Sequence, residues 1–398
     1  MSGISGIVLK NPKDKNFFKK AVFDMGKLIR RRGPYKHGFL EFENTYLAHV
    51  NILSQDKRDV AREPMSFDDR YSIMLDGSIY NYNEIKQKLL KKNFKFFTKT
   101  FTEVALNAFK DKGIKSFNDF NGDWVICILD KYEKKLIIAK DALGTKPIYI
   151  FTKKNFISFC SEIKGFRALG PLEFNYNNLG LSQLTIYNFN DTKFENITQI
   201  KPGSYVEINL KNLILTQNKW SLPLESLFPI HPNYDVNKQE LKDRIFNSIK
   251  SRVISDKKIG TSLSGGLDSA IIFTLMNQIK NDSKLNYNFF LNPFLLNYDN
   301  ILTLEFAKKI TSLHNKKLEI VNSKSTFKTE SLSNTFSQLE ISEEYNKQID
   351  LYESYKKHGV EISIDGQAID HFLGNPSDLL QLSFTFFKNI VDLNKTNL

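Results

Sequence analysis

The chain has 398 residues, 41% of them hydrophobic and 25% charged, with a formal net charge of +12. That length suits two domains, each able to bury its own core, and the composition is that of a soluble globular protein. No stretch of about 18 apolar residues is present, which excludes a helical membrane span; the opening lacks the basic, apolar and cleavage-site order of a secretory leader, so a cytoplasmic location is expected.

The chain opens MSGISGIVL. Removal of Met1 would leave the α-amine of Ser2 beside its own hydroxyl, which is one way to build a nucleophile. The same residues also suit a small start to a strand. The basic run Lys-Leu-Ile-Arg-Arg-Arg at 27–32 fits a solvated surface, an acidic partner, RNA or a phosphate-rich ligand, and charge alone does not separate these. Short strand-like runs follow: YLAHVNIL, YSIMLDGSIYNY, DWVICILD and KKLIIAKDA, with a helix over 82–92 and turn signals at Asn121-Gly122, Gly144 and Pro147. This alternation predicts an α+β domain of stacked sheets. Cys127 and Cys160 lie in apolar strand contexts and read as buried thiols, not as a disulfide framework or metal site. Pro202-Gly203 and the segment WSLPLESLFPIHPNYD break the pattern and mark 220–235 as a linker between domains at 1–219 and 236–398.

Beyond the linker the pattern changes. Helices NKQELKDRIFNSIKSRV, LDSAIIFTLMNQIK, TLEFAKKITSL and NKQIDLYESYKKH alternate with strands KIGTSL, YNFFL, KLEIV and VEISID. Strands alternating with helices predict a parallel, doubly wound sheet. Between its first strand and the following helix, after Leu263, stands Ser264-Gly265-Gly266-Leu267-Asp268-Ser269. Two glycines let backbone approach an anion, and the N–H groups opening the helix face it along the positive end of the dipole. Ser264 and Ser269 add hydroxyl donors, and Asp268 supplies a hard oxygen for Mg²⁺. There is no Lys to reach a terminal phosphate, which favours holding a pyrophosphate leaving group over γ-phosphoryl transfer. Asp365-Gly366-Gln367-Ala368-Ile369-Asp370 follows strand VEISID and falls at the same edge of the sheet, where Asp370 suits either a second Mg²⁺ ligand or a helix cap.

These motifs resemble the asparagine synthetase family, in which a class II glutamine amidotransferase domain precedes an ATP-pyrophosphatase synthetase domain. The matching stretches, in order, are RRGPYKHGF, DGSIYNYNEI, DALGTKPIYIF, SEIKGFRAL, IKPGSY and SLSGGLDSA. The resemblance implies an N-terminal α+β Ntn-type four-layer sandwich. It implies a C-terminal α/β ATP-pyrophosphatase sheet of the adenine nucleotide alpha hydrolase-like kind. It also implies ATP and Mg²⁺ as cofactors, with Leu263, Ser264, Gly265, Gly266, Leu267, Asp268, Ser269 and Gly366 at the nucleotide and Asp268 and Asp370 at the metal. The expected reaction activates a carboxylate as an acyl-adenylate, which an amine then attacks.

The departures from the family pattern are as informative. Ser2 stands where the family has a nucleophilic Cys, and Asn51 aligns with its glutamine-gripping Arg. Asp76-Gly77-Ser78 replaces Asn-Gly-Glu, and Phe101 replaces an Asp. A carboxylate at an oxyanion donor position repels the developing charge, so glutaminase activity is not expected. Gln367 replaces a Glu near the reacting amine and cannot act as a base, with His371 the nearby substitute. The family's C-terminal helical region has no counterpart, which implies a shortened synthetase domain. Three readings follow: a ligase using an amine not drawn from glutamine, an asparagine synthetase using ammonia or residual glutaminase, and a non-catalytic nucleotide binder or one completed by a partner protein. Nucleic acid is not an expected partner, because tRNA-modifying pyrophosphatases share the loop but not the first domain.

Overall fold

In the computed structural model, small and apolar residues make Gly3–Leu9 a strand (β1) buried along its whole length. A Cβ at Gly6 would overlap the Phe159 ring on the neighbouring strand, so the absence of a side chain there sets how closely the two strands' residues interleave. The structure describes residues 2–366 except 11–13, 52–55, 57, 174–191, 193, 222–237, 254–256, 283–288, 290–291, 298–300 and 323–344. The described residues up to Ser221 form one compact unit, and those from Lys238 onward form a second.

In the first unit, β1 is followed by α1 (Lys15–Leu28), β2 (Lys36–Phe42), β3 (Thr45–Asn51), β4 (Tyr71–Ile79), α2 (Tyr82–Leu90) and α3 (Phe101–Lys112). Next come β5 (Gly122–Asp130), β6 (Lys135–Lys140), β7 (Tyr149–Lys153), β8 (Phe156–Cys160), β9 (Ile197–Gln199), β10 (Ser204–Asn209) and β11 (Leu215–Lys219). They build two antiparallel sheets, ordered β2-β3-β1-β8-β7-β9 and β11-β10-β6-β5-β4.

Alternation along each strand sends one set of side chains between the sheets and the other outward. Ile4, Val8 and Leu47 of the first sheet meet Met74, Val125, Cys127 and Ile138 of the second. Ile7, Tyr46 and Val50 face outward onto Val22, Met25 and Ile29 in and just after α1. Ile73, Leu75 and Ile126 face outward onto Ile85 and Leu89 of α2 and Val104 of α3. The unit is therefore a four-layer α/β/β/α sandwich of the Ntn type, and both cysteines are buried within it and form no disulfide. Trp220 stands at the start of the expected linker, yet it packs into this unit: its ring stacks on Trp124 at 5.4 Å and its indole N–H donates to the Lys140 carbonyl at 2.9 Å.

The second unit contains α4 (Lys238–Arg252), β12 (Ile259–Gly260), α5 (Leu267–Asp282), β13 (Phe294–Asn297), α6 (Ile301–Leu313), β14 (Glu319–Asn322), α7 (Tyr345–Lys357) and β15 (Ile362–Ser363). β12 pairs in parallel with β15, and β13 with β14, while a parallel bridge between Ser262 and Phe294 joins the pairs. Of the expected strand YNFFL at 287–291, only Phe289 is among the described residues, and it forms a parallel bridge with Ile259; the ladder of β13 lies at Phe294–Asn297, after Pro293. Expected strands KIGTSL and VEISID are shorter than their apolar runs, with two ladder residues each.

Candidate functional site

In the second unit the chain leaves β12, passes through buried Leu263 and turns through Ser264-Gly265-Gly266 into α5. Leu263 is anchored by its amide to the Phe294 carbonyl at 2.8 Å and by its side chain against Phe273, Leu295 and Ala307. The turn is stitched by hydroxyls. The Ser264 amide donates to Ser269 Oγ at 3.1 Å, the two hydroxyls lie 3.1 Å apart, and Ser269 Oγ reaches the Gly266 carbonyl at 3.1 Å.

Gly265 has φ of +82°, a left-handed conformation that a side chain disfavours, and a Cβ there would lie 2.5 Å from the Thr303 carbonyl oxygen. Helix α5 leaves its first amides without helical partners, as every helix start does. Those of Leu267 and Asp268 have no hydrogen bond among the described residues, and the Leu267 side chain is 75% exposed. The Asp268 carboxylate, half-buried, makes no hydrogen bond or ion pair among the described residues. The strand edge therefore offers convergent unpaired N–H donors, two hydroxyls and one uncommitted carboxylate.

Gly366 belongs to the same place. A Cβ on it would lie 2.8 Å from the Asp268 carbonyl carbon and 2.9 Å from the Ser269 nitrogen, so the segment leaving β15 rests directly on the helix start. Asp365, to which the sequence reading gives no role, accepts from the Ser262 amide and Ser262 Oγ, both at 2.7 Å, and from the Tyr355 hydroxyl at 3.2 Å. Burial pushes the Tyr355 hydroxyl pKa up, and the Asp365 carboxylate adds to the shift. Gln367, Asp370 and His371 lie outside the described residues.

In the first unit, Ser2 is buried at the entry to β1, and its carbonyl accepts from Arg32 Nε at 2.9 Å. Arg32 Nη2 donates to Asp76 Oδ2 at 2.8 Å, and Nη1 to Glu162 Oε1 at 3.4 Å; Glu162 also pairs with Lys164 at 2.6 Å. The Arg32 side chain is 8% exposed and that of Asp76 is fully buried. Burial works against the charge of Arg32, but Asp76 and Glu162 outweigh it and raise its pKa. Asp76, expected to repel developing charge at the oxyanion position, is here paired with the guanidinium 44 positions earlier, a contact the sequence does not reveal.

Asn51 ends β3 with its carbonyl accepting from the Tyr35 amide at 3.2 Å, and Ser78 lies in β4 opposite Asp123. Phe101 opens α3 behind its Thr100 cap and meets the Tyr82 ring edge-on at 5.4 Å.

A sandwich with Ser2 at the head of its first strand, followed in the chain by an α/β unit with parallel strands and a Ser/Gly turn, defines a two-domain protein whose first domain has the Ntn-type architecture. Residues 1–220 match the family model described as glutamine amidotransferase domain, and residues 240–294 match the one described as asparagine synthase. The chain belongs to the asparagine synthetase family.

A Methanocaldococcus jannaschii relative carrying an asparagine synthetase name is 30% identical over 315 residues, which is 72% of this chain and 59% of the relative. Asparagine synthetase (glutamine-hydrolyzing) 1 of Bacillus subtilis is 25% identical, with 70% of this chain and 44% of that protein covered. The chain thus spans between 38% and 59% of the length of the first three curated relatives. Among solved structures, glutamine phosphoribosylpyrophosphate amidotransferase from B. subtilis aligns over 92% of this chain and 91% of its own, at 11% identity and a TM-score of 0.43. Among the described residues no helix is long and apolar enough to cross a membrane, and no group of three or more His, Cys, Asp or Glu is placed to hold a metal.

Proposed function

We propose that this chain is an ATP-dependent carbon–nitrogen ligase that forms AMP and pyrophosphate. The observation that carries the reading is the set of unpaired amides at the start of α5, gathered with Ser264 and Ser269 beside the uncommitted carboxylate of Asp268. That donor set fits polyphosphate held with a hard divalent cation. ATP bound there supplies the adenylyl group that activates a carboxylate, with pyrophosphate leaving before an amine forms the amide.

In this reading the residues Ser264–Ser269 hold the pyrophosphate portion, Gly366 lets its segment close onto the helix start, and Asp268 with Asp370 holds Mg²⁺. The chain's own contribution is binding, orientation and neutralisation of phosphate charge by preorganised dipoles. The acceptor carboxylate and the amine are amino acid-like or amine substrates by analogy with the relatives' names, and the expected compartment is the cytoplasm.

The amine is not drawn from glutamine. Support comes from Arg32, which spans Ser2 and Asp76 and is committed to both, and from Asn51 and Phe101, which offer neither a guanidinium nor a carboxylate for an amino acid. The test is pyrophosphate release from Mg²⁺–ATP across a panel of carboxylates and amines, with Asp268→Ala as control. Release that Asp268→Ala abolishes is expected, with no glutamate formed from glutamine. Absence of release with every pair overturns the ligase reading. Glutamate production that Ser2→Ala removes overturns the assignment of the first domain.

A further inference from the structure

The carboxylate of Asp365 is bonded one-sidedly. Three donors converge on Oδ1, two of them from Ser262 at 2.7 Å and the third from the Tyr355 hydroxyl at 3.2 Å, while Oδ2 has no partner among the described residues. Ser262 stands two residues before the anion loop, and Tyr355 lies on α7. The next residue after Asp365 is Gly366, whose backbone approaches the Asp268–Ser269 peptide too closely for any side chain. The strand ladder between β12 and β15 is two residues long, and the Glu361 and Ile364 amides extend it with bonds to the Lys258 and Gly260 carbonyls at 2.9 and 3.0 Å. These bonds fix the strand up to Ile364, and the side-chain bonds of Asp365 carry the attachment on to the residue before Gly366.

We propose that Asp365 is a positioning residue for the nucleotide loop, acting as a latch: it fastens the chain leaving β15 to Ser262 and so holds Gly366 against the start of α5, keeping the loop amides converged before any ligand arrives. The proposal rests on the nucleotide reading of the loop and deepens it by naming what preorganises the site.

A pair of donors from one residue, an amide and a hydroxyl, defines the carboxyl position along the strand as well as across it, which an apolar contact does not. A site that must bind several phosphate oxygens at once gains affinity when its donors need no rearrangement. The function of the latch requires an acceptor at Oδ1 and not a negative charge. A carboxylate close to an anion site opposes the ligand, so removing the charge while keeping the acceptor separates the two effects.

The test uses the full chain with Asp365→Ala, Asp365→Asn and Ser262→Ala, titrated with Mg²⁺–ATP by calorimetry. Asp365→Ala is expected to weaken binding by about tenfold or more, the range seen when a supporting hydrogen-bond partner is lost. Asp365→Asn is expected to stay within about threefold of the unaltered protein, because its amide oxygen still accepts from Ser262. Ser262→Ala falls between them. Binding of Asp365→Ala equal to that of the unaltered protein, or Asp365→Asn as weak as Asp365→Ala, overturns the latch.

A second readout does not depend on ATP. Hydrogen exchange of the Ser264 and Ala270 amides, neither bonded to Asp365, is expected to speed up in Asp365→Ala and not in Asp365→Asn. If the unaltered protein does not bind Mg²⁺–ATP, the nucleotide reading fails, and unchanged exchange at these two amides then overturns the latch separately.

Discussion

Replacing Arg32 by Ala should unfold the first unit more readily than replacing its partner Asp76. Both side chains are out of water, at 8% and 0% exposure, and their contact is 2.8 Å. Removing one member of such a pair typically costs about 3–5 kcal/mol, because a charge is left buried without compensation. The two deletions are not equivalent. Without Asp76, Arg32 keeps Glu162 at 3.4 Å and the Ser2 carbonyl at 2.9 Å, so the loss belongs at the lower end, about 3 kcal/mol. Without Arg32, the Asp76 carboxylate is fully buried with Oδ1 already unpartnered, and the loss belongs at the upper end, about 5 kcal/mol. Replacing both together, Arg32→Met with Asp76→Leu, should recover most of the loss, since a well-packed apolar pair is often neutral against a buried ion pair. Urea unfolding followed by Trp124 and Trp220 fluorescence measures the series, both rings lying in one core of this unit. A cost below about 1 kcal/mol for Arg32→Ala, or a larger cost for Asp76→Ala, would refute the assignment of Arg32 as the group that neutralises Asp76.

Three further outcomes are expected. Burial pushes the Lys140 ammonium down to about 8 from 10.5, so its charged form costs stability that is fully felt below about pH 8 and disappears as the pH rises through 10.5. Lys140→Met should therefore stabilise the fold by about 1–3 kcal/mol at pH 7 and flatten the rise in urea midpoint between pH 8 and 10.5. Gly265→Ala meets a left-handed φ of +82° and the Thr303 carbonyl, and should lower the stability of the second unit by about 1–3 kcal/mol while abolishing Mg²⁺–ATP binding; normal affinity would show that the turn does not shape the site. Cys127 and Cys160 should both resist a thiol reagent in the native protein and react in urea, since both are buried and burial pushes the Cys127 thiol pKa well up.

What the residues alone determined here is local and periodic. Short continuous apolar runs such as GISGIVL and GDWVICILD make strands buried on both faces, and the pattern changes beyond Lys238 to helices between short apolar runs. The Ser264–Ser269 stretch carries its turn chemistry in its own glycines and hydroxyls, so its geometry is legible without knowing what packs behind it. The run at Phe294–Asn297 shows the limit: it is one apolar stretch among several, and its place in the sheet is set by the parallel partner at Glu319–Asn322.

Tertiary structure decided the contacts whose members are far apart in the chain. Arg32 reads as one of three arginines in a basic run until the fold sets it against Asp76 and Glu162. Asp365 reads as one more loop carboxylate until Ser262, 103 positions earlier, donates to it twice. Trp220 reads as linker until it stacks on Trp124. Charge, turn and periodicity are properties of neighbours along the chain, whereas neutralisation, preorganisation and burial depend on which distant residue the fold brings within 3 Å.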